Sequence, residues 1–473
     1  MADTTLSTKA SAETSTETST ETSTETSTEK LTILSQALRE VIGDKHVYLD
    51  AKTRQVFSTD AYTFSPILIE ALHDKCADIV VAPGTVEELE RCVSLCVQHD
   101  TPLTVRGAGT GNYGQAVPLE GGVVILMRRL NKILALDQHN KRARVQPGVV
   151  IGALERRARE VGLEVPCYPS TWATATIGGF VSGGFGGVGS IRHGTLWDGM
   201  VVSSEVISAE TTPQHTTLTD TDVLSVIHAY GVSGIMTELE IALVDAVAWE
   251  ESVFAFETLE QALRFGHALA SSSGFDCRLI STCEPPLGTY FRPLMNEVTL
   301  TEKVHVLLEL GSGQTKAATA IAELFAGVNV WQRPGNKYHK SNFSLSDFSW
   351  NHTTLWAMKA EPTYTYLQAM FASDFATFWQ QVSSLKQQFG NEVLMHLEYI
   401  RMGGTLVSSG LPVVSYRDKD RLYEIIAAFE AQGVEIADPH TFRLDADPRW
   451  NGTPVVEGKA TRNPRGLLNP GKL

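Results

Sequence analysis

From about residue 31 onward, hydrophobic positions recur first at helical and then at strand spacing. Leu31, Leu34, Leu38 and Val41 lie on one helical face, and Gly43 closes that pattern. A short apolar run, Ile79-Val80-Val81, precedes Pro83-Gly84. Thr85 and Glu88 have the spacing of a capping box, and Val86, Leu89, Val93, Cys96 and Val97 form the apolar face of the helix it opens. Residues 101–105 read as a strand, which completes a strand–helix–strand unit. Strand patterns return at 123–127, 133–136 and 142–145, and a helix is expected over about 150–161. Past Val244 the texture changes: two stretches, about 251–330 and about 391–437, each combine strands with a helix. That order suits an antiparallel sheet covered by helices, an α+β arrangement, with a domain boundary near residue 245.

Composition adds limits. The 473 residues suffice for two or three domains with sizeable cores. Apolar and charged fractions of 43% and 20% are those of ordinary soluble chains. A net charge of −15 argues against non-specific binding to nucleic acid or anionic membrane. No apolar run approaches the roughly 18 residues of a spanning helix, and no secretory signal opens the chain, so a cytoplasmic protein is expected. Up to about Glu29, Ser-Thr-Glu-Thr recurs with period four. Such a stretch has little to bury, so residues 1–30 are expected to be a disordered tail. The six cysteines form no Cys-x-x-Cys pair, and Cys92 and Cys96 fall one turn apart on the predicted helix. No iron–sulfur cluster, structural zinc or other metal is expected.

The strand at 101–105 runs straight into Arg106-Gly-Ala-Gly-Thr-Gly-Asn-Tyr-Gly-Gln115. Gly109, Gly111 and Gly114 satisfy the GxGxxG pattern, but a nicotinamide-dinucleotide site requires a helix to begin at once. Pro118 and Gly121-Gly122 followed by a strand exclude that helix. What remains is a nest of backbone N–H groups converging on an anion, with Arg106 adding charge and Thr110 and Asn112 adding donors. A second glycine-rich segment spans residues 168–189. Phe180, Val181, Phe185 and Val188 interleave its glycines, which a polar linker would not do, so it reads as backbone packed against a large planar ligand.

Four motifs occur in order: Arg106-Gly-Ala-Gly-Thr-Gly111, Ala175-Thr-Ile-Gly-Gly179, Gly231-Val-Ser-Gly-Ile-Met-Thr-Glu238 and Asn463-Pro-Arg-Gly-Leu-Leu-Asn-Pro-Gly-Lys472. On these the chain resembles the FAD-linked oxidases of the vanillyl-alcohol-oxidase/PCMH superfamily, closest to the glycolate-oxidase-subunit and D-lactate-dehydrogenase-like branch. The resemblance implies a two-subdomain PCMH-type FAD-binding domain over 31–245 and an antiparallel-sheet cap domain covered by helices over 246–450. Residues 451–473 would return to the FAD domain. It places the FAD pyrophosphate on the first loop, with cofactor contacts at Arg106, Gly107, Ala108, Gly109, Thr110, Gly111, Asn112, Ser170, Thr176, Gly178, Gly179, Ser182, Gly183, Ile235 and Asn469. Plain core packing competes for Ile235, and a turn cap for Asn469. Relatives with covalent flavin carry His where Thr110 stands or Cys about where Trp172 stands, and Cys167 is five residues off, so FAD is expected to be non-covalent.

The resemblance further implies oxidation of an alcohol or 2-hydroxy-acid carbon, with hydride passing to flavin N5 and a protein base taking the hydroxyl proton. Two segments of the hydroxy-acid branch are missing: Gly-His-x-Gly-Asp-Gly-Asn-x-His and a later Glu-His-Gly. This puts D-lactate and glycolate in doubt. Candidate substitutes are His396 and Glu398, which alternate on a predicted strand over 394–400 and share a face, with Arg401 on the other. His352 lies in the polar and aromatic stretch Trp350–Trp356, and further histidines stand in Tyr338-His339-Lys340 and Asp438-Pro439-His440-Thr441. For each histidine a hydrogen-bonded core role competes with catalysis. Two other readings stay open: a FAD-binding subunit of a larger complex without its own substrate site, and a flavoprotein working without net oxidation, as in ether-lipid synthases. The electron acceptor, oxygen or another, is open, as is assembly as a homodimer or complex subunit.

Overall fold

The computed structural model describes residues 29–334, 343–446, 450 and 452–473. The period-four repeat and Tyr338-His339-Lys340 lie outside them. Helical backbone covers 29–42, with Leu34, Leu38 and Ile42 buried. The helix Val86–Gln98 opens on Thr85, whose side chain accepts the Glu88 N–H. Only half of a capping box forms, because the Glu88 carboxylate reaches one residue further back and accepts the Gly84 N–H at 2.6 Å. Leu89, Cys92, Val93, Cys96 and Val97 are its buried face.

That helix covers a four-stranded sheet in which Ile79–Val81, Val123–Leu126 and Leu103–Arg106 run parallel, with Val47–Tyr48 antiparallel at one edge. The two strands of the strand–helix–strand unit are therefore not neighbours: Val123–Leu126 inserts between them. On the open edge, Leu103 N–H donates to Leu467 O (2.8 Å) and Leu103 O accepts from Asn469 N–H (2.7 Å), so the segment after helix Gly452–Arg462 pairs with this sheet.

A second, antiparallel sheet runs in the order Ile133–Asp137, Arg142–Val145, Ile235–Ala242, Val201–Ile207, His215–Thr219. Its apolar face packs on the helix Ile151–Arg159 and on Ile177, Phe180 and Val181 of Ile177–Gly183. The third, eight-stranded and antiparallel, includes Trp249–Phe256, Cys277–Cys283, Val304–Gly311, His396–Met402 and Thr405–Gly410. The helices Leu259–Ser271, Phe375–Phe389 and Lys419–Ala431 cover it through Phe265, Phe378, Phe429 and their neighbours. The α+β class read from periodicity is the one observed. The helices Asn351–Ala360 and Phe375–Phe389 fall between the two stretches read from the sequence. We propose a division near residue 245, where Val244–Asp245 pairs with Leu163–Glu164 and the next strand, Trp249–Phe256, enters the eight-stranded sheet.

Among the described residues no helix is long and apolar enough to cross a membrane, and no group of three or more His, Cys, Asp or Glu side chains could hold a metal.

Candidate active site

Leu103–Arg106 ends at the sheet edge and the glycine loop turns away from it. Gly109 has φ 69°, and its carbonyl accepts the Ala61 N–H at 2.9 Å. The N–H groups of Ala108, Gly109, Thr110, Gly111 and Asn112 have no hydrogen-bond partner among the described residues. Five free backbone donors in a row on one loop are what an anion nest requires. Thr176 caps Ile177–Gly183 by accepting the Gly179 N–H at 3.2 Å. A Cβ on Gly107 would overlap the Thr176 hydroxyl and come within 3.4 Å of the Gly179 Cα. The two glycine segments therefore touch backbone to backbone.

Between them opens a cleft with about 1390 Å³ of empty space, open solvent included. Gly107 to Asn112, Ser170, Thr176, Gly179, Ser182 and Gly183 line it. A second cleft shares Gly107, Ala108 and Thr176 with it. An elongated cofactor with a central diphosphate fits that layout.

Four of the expected contacts do not line the first cleft. Arg106 is buried behind the loop, its guanidinium donating to Thr59 O (2.6 Å) and Ala116 O (3.3 Å), so it braces the loop from beneath. Gly178 packs on Pro147, and its N–H donates to Pro147 O. Ile235 is core, in the cluster with Ile207 and Leu468. Asn469 donates to Gln115 O (2.9 Å) and Tyr230 O, tying three segments together.

The expected catalytic set separates more sharply. His396 and Glu398 do share a face, with His396 Nε2 3.0 Å from Glu398 Oε1, but both are buried and neither lines the cleft. Nε2 also lies 3.1 Å from the Ser281 and Thr353 hydroxyls, and Glu398 Oε1 accepts the Trp350 N–H at 2.6 Å. Trp350 sits at φ 52°, a conformation costly for a bulky residue, and the buried carboxylate holds it there. Arg401 points the other way and donates to the backbone at Gly404 and Ala270. His440, likewise off the cleft, binds Ser65 and Tyr366 O.

His352 does reach the cleft, at the start of the helix Asn351–Ala360 that Glu398 anchors. Burial, with Lys359 nearby, pulls its imidazole down to about 4, so it is neutral at pH 7. Trp350 Nε1, Asn351 Nδ2 and His352 Nε2 are enclosed and make no hydrogen bond among the described residues. All three residues line the cleft, and these atoms are enclosed within its wall. Tyr62, Phe64, Tyr113 and Gln368 complete this end. Asn112 Nδ2 donates to the Tyr366 hydroxyl at 2.7 Å, and Gln368 Nε2 contacts the Tyr113 hydroxyl, which join the loop to this wall. Asp60, Tyr62 and Phe64 went unread in the sequence because they sit in an aperiodic connection.

Residues 77–217 match the family described as FAD binding domain. The glycolate oxidase subunit GlcD of Bacillus subtilis (strain 168) is 37% identical over 121 residues, which is 26% of this chain and 26% of that protein. Alkyldihydroxyacetonephosphate synthase superposes with a TM-score of 0.72 at 16% identity, covering 93% of this chain and 84% of that one. For p-cresol methylhydroxylase with substrate bound the TM-score is 0.65 at 13% identity, with coverage of 94% and 96%. Residues 77–217 of this chain are thus an FAD-binding domain. FAD is its cofactor. The sequence match to the GlcD subunit spans about a quarter of that protein's length, whereas the structural likeness runs through the whole fold.

Proposed function

We propose that this protein is an FAD-dependent oxidoreductase that oxidises an alcohol or 2-hydroxy-acid carbon at the end of the cleft walled by Trp350, Asn351 and His352. The observation that carries this reading is the row of enclosed polar groups without partners on that wall. When bound, FAD supplies the two-electron chemistry, accepting hydride at flavin N5. The protein binds and orients: the N–H groups of Ala108 to Asn112 hold the pyrophosphate, and Ser170, Thr176, Gly179, Ser182 and Gly183 border the cofactor. Asn351 Nδ2 donates to the substrate oxygen, and neutral His352 Nε2 accepts the hydroxyl proton. His396, Glu398 and Arg401 act at a distance from the chemistry, the first two by holding Trp350 in place.

The partner-subunit reading finds support in the GlcD relative, which is a subunit by name. Working without net oxidation finds support in the likeness to alkyldihydroxyacetonephosphate synthase. Anaerobic mixing with a panel of alcohols, 2-hydroxy acids and sugars separates the three. Bleaching of the flavin band by a panel member is the expected result, and a broad panel without bleaching would overturn the oxidoreductase reading.

We infer that FAD is held non-covalently. Thr110 occupies the loop position on the cleft, and Cys167 is buried away from it, its thiol 3.1 Å from the Ser190 hydroxyl and pushed up to about 12 by burial. Acid precipitation is expected to release all the flavin into the supernatant. Yellow colour or flavin fluorescence remaining on the washed pellet would show a covalent link.

A further inference from the structure

Against the glycine loop lies a group of charges, of which Arg106 and Lys472 stand off the cleft while Asp60 also borders it. Lys472 is fully buried, and its Nζ donates to Gly114 O. The N–H of the same Gly114 donates to Asp60 Oδ2 at 2.6 Å, so one residue of the loop is gripped at both polar ends. Arg106 lies directly under Gly109, close enough that a Cβ there would overlap its guanidinium. Asp60 Oδ1 is enclosed and accepts no hydrogen bond among the described residues. Arg106, Lys472 and one carboxyl are therefore packed against a loop whose N–H groups from Ala108 to Asn112 are free.

Burying a lysine is costly, and a lone neutral donor would serve a carbonyl equally well. The arrangement makes sense if a second anion arrives at the loop. We propose that Lys472 is a positioning residue for FAD: acting through Gly114, it supplies buried positive charge to the loop that holds the pyrophosphate and takes up a proton when FAD binds. This rests on the reading that the pyrophosphate sits on the N–H groups of Ala108 to Asn112. The groups facing the Lys472 ammonium are Asp60 from the 59–64 connection, which Arg106 also faces, and the Phe442 ring, 5.3 Å away. Burial pulls Lys472 down to about 7, and Asp60 alone opposes that shift. Near pH 8 the lysine of the FAD-free protein is mostly neutral. Diphosphate charge close by favours its ammonium form, so binding and protonation reinforce each other.

The sign follows: FAD binds more tightly at low pH, and affinity falls as pH rises through about 7. With the bound-state value lifted well above that, Kd should rise about 25-fold between about pH 6.5 and about pH 8.5. The experiment is calorimetric titration of flavin-stripped full-length protein with FAD, at pH 8 in two buffers of different ionisation heat. Wild type should take up close to one proton. Lys472→Met should take up none and should bind FAD about tenfold or more weakly at pH 6.5, with Kd flat in pH. No uptake by wild type, uptake retained in Lys472→Met, or weaker binding with an unchanged pH slope would each overturn the proposal. If Lys472→Met does not fold, Asp60→Asn/Lys472→Met removes the stranded carboxyl and must show the same flat profile. Gly109→Val probes the underlying reading separately: full FAD retention there places the pyrophosphate elsewhere, whatever Lys472 does.

Discussion

Gly109→Val is expected to abolish FAD retention, leaving a purified protein without a flavin band. Two independent effects act at this residue. Its φ of 69° is a left-handed conformation, which costs a side chain with a Cβ about 1–2 kcal/mol and a β-branched one more. In addition, a Cβ would overlap the Arg106 guanidinium, which cannot swing aside because Thr59 O and Ala116 O hold it in a buried slot. The loop must therefore move away from Arg106. Moving it breaks the Ala61–Gly109 bond and disperses the neighbouring N–H groups. Losing convergence of several charge-assisted hydrogen bonds of ~1.5–3 kcal/mol each predicts at least ~100-fold weaker binding. The measurement is the flavin-to-protein absorbance ratio after desalting, with a thermal melt to show that the fold survives. A ratio near one flavin per chain would sink the assignment of the loop to the pyrophosphate.

Much of the cofactor half could be read in advance because its geometry is local. Pro118 and Gly121-Gly122 forbid a helix after the loop, and the structure duly runs through turns into Val123–Leu126. The glycines of both segments are contiguous in sequence, so their meeting across Gly107 and Gly179 needed only one long-range contact. The Arg106 side chain was harder to place, for a different reason. A strand alternates its faces, and nothing in the sequence says which face of Arg106 meets the ligand and which the carbonyls of Thr59 and Ala116. The catalytic half was harder. The periodicity of His396 and Glu398 showed that they share a face, but not that this face is closed by Ser281, Thr353 and Trp350 from other elements. Asp60 and Lys472 are 412 positions apart in the 473-residue chain, and both bond Gly114. No local pattern carries that.

His352→Gln is expected to slow flavin reduction by about 10²–10⁴-fold while leaving FAD bound, the range typical of removing a positioned general base. The prediction depends on where the side chain sits rather than on its being a histidine. His396 is the more deeply buried and better bonded of the two, yet its Nε2 is already occupied by Glu398, Ser281 and Thr353, whereas Nε2 of His352 is vacant on the cleft wall. Glutamine keeps a polar group near that position, so the wall stays filled and any loss reports on proton acceptance rather than on packing. The pH profile adds a second check. An ordinary histidine becomes the neutral, proton-accepting form only as pH rises through ~6.5. Burial and Lys359 lower that point to about 4 for His352, so wild-type reduction should stay level from about pH 8 down to about pH 5.5 and fall only below it. Stopped-flow reduction by whichever panel member bleaches the flavin measures both quantities. A variant within threefold of wild type would remove His352 from the chemistry. A wild-type profile breaking near 6.5 would mean that the accepting group is a histidine with ordinary solvation, which the enclosed Nε2 of His352 is not.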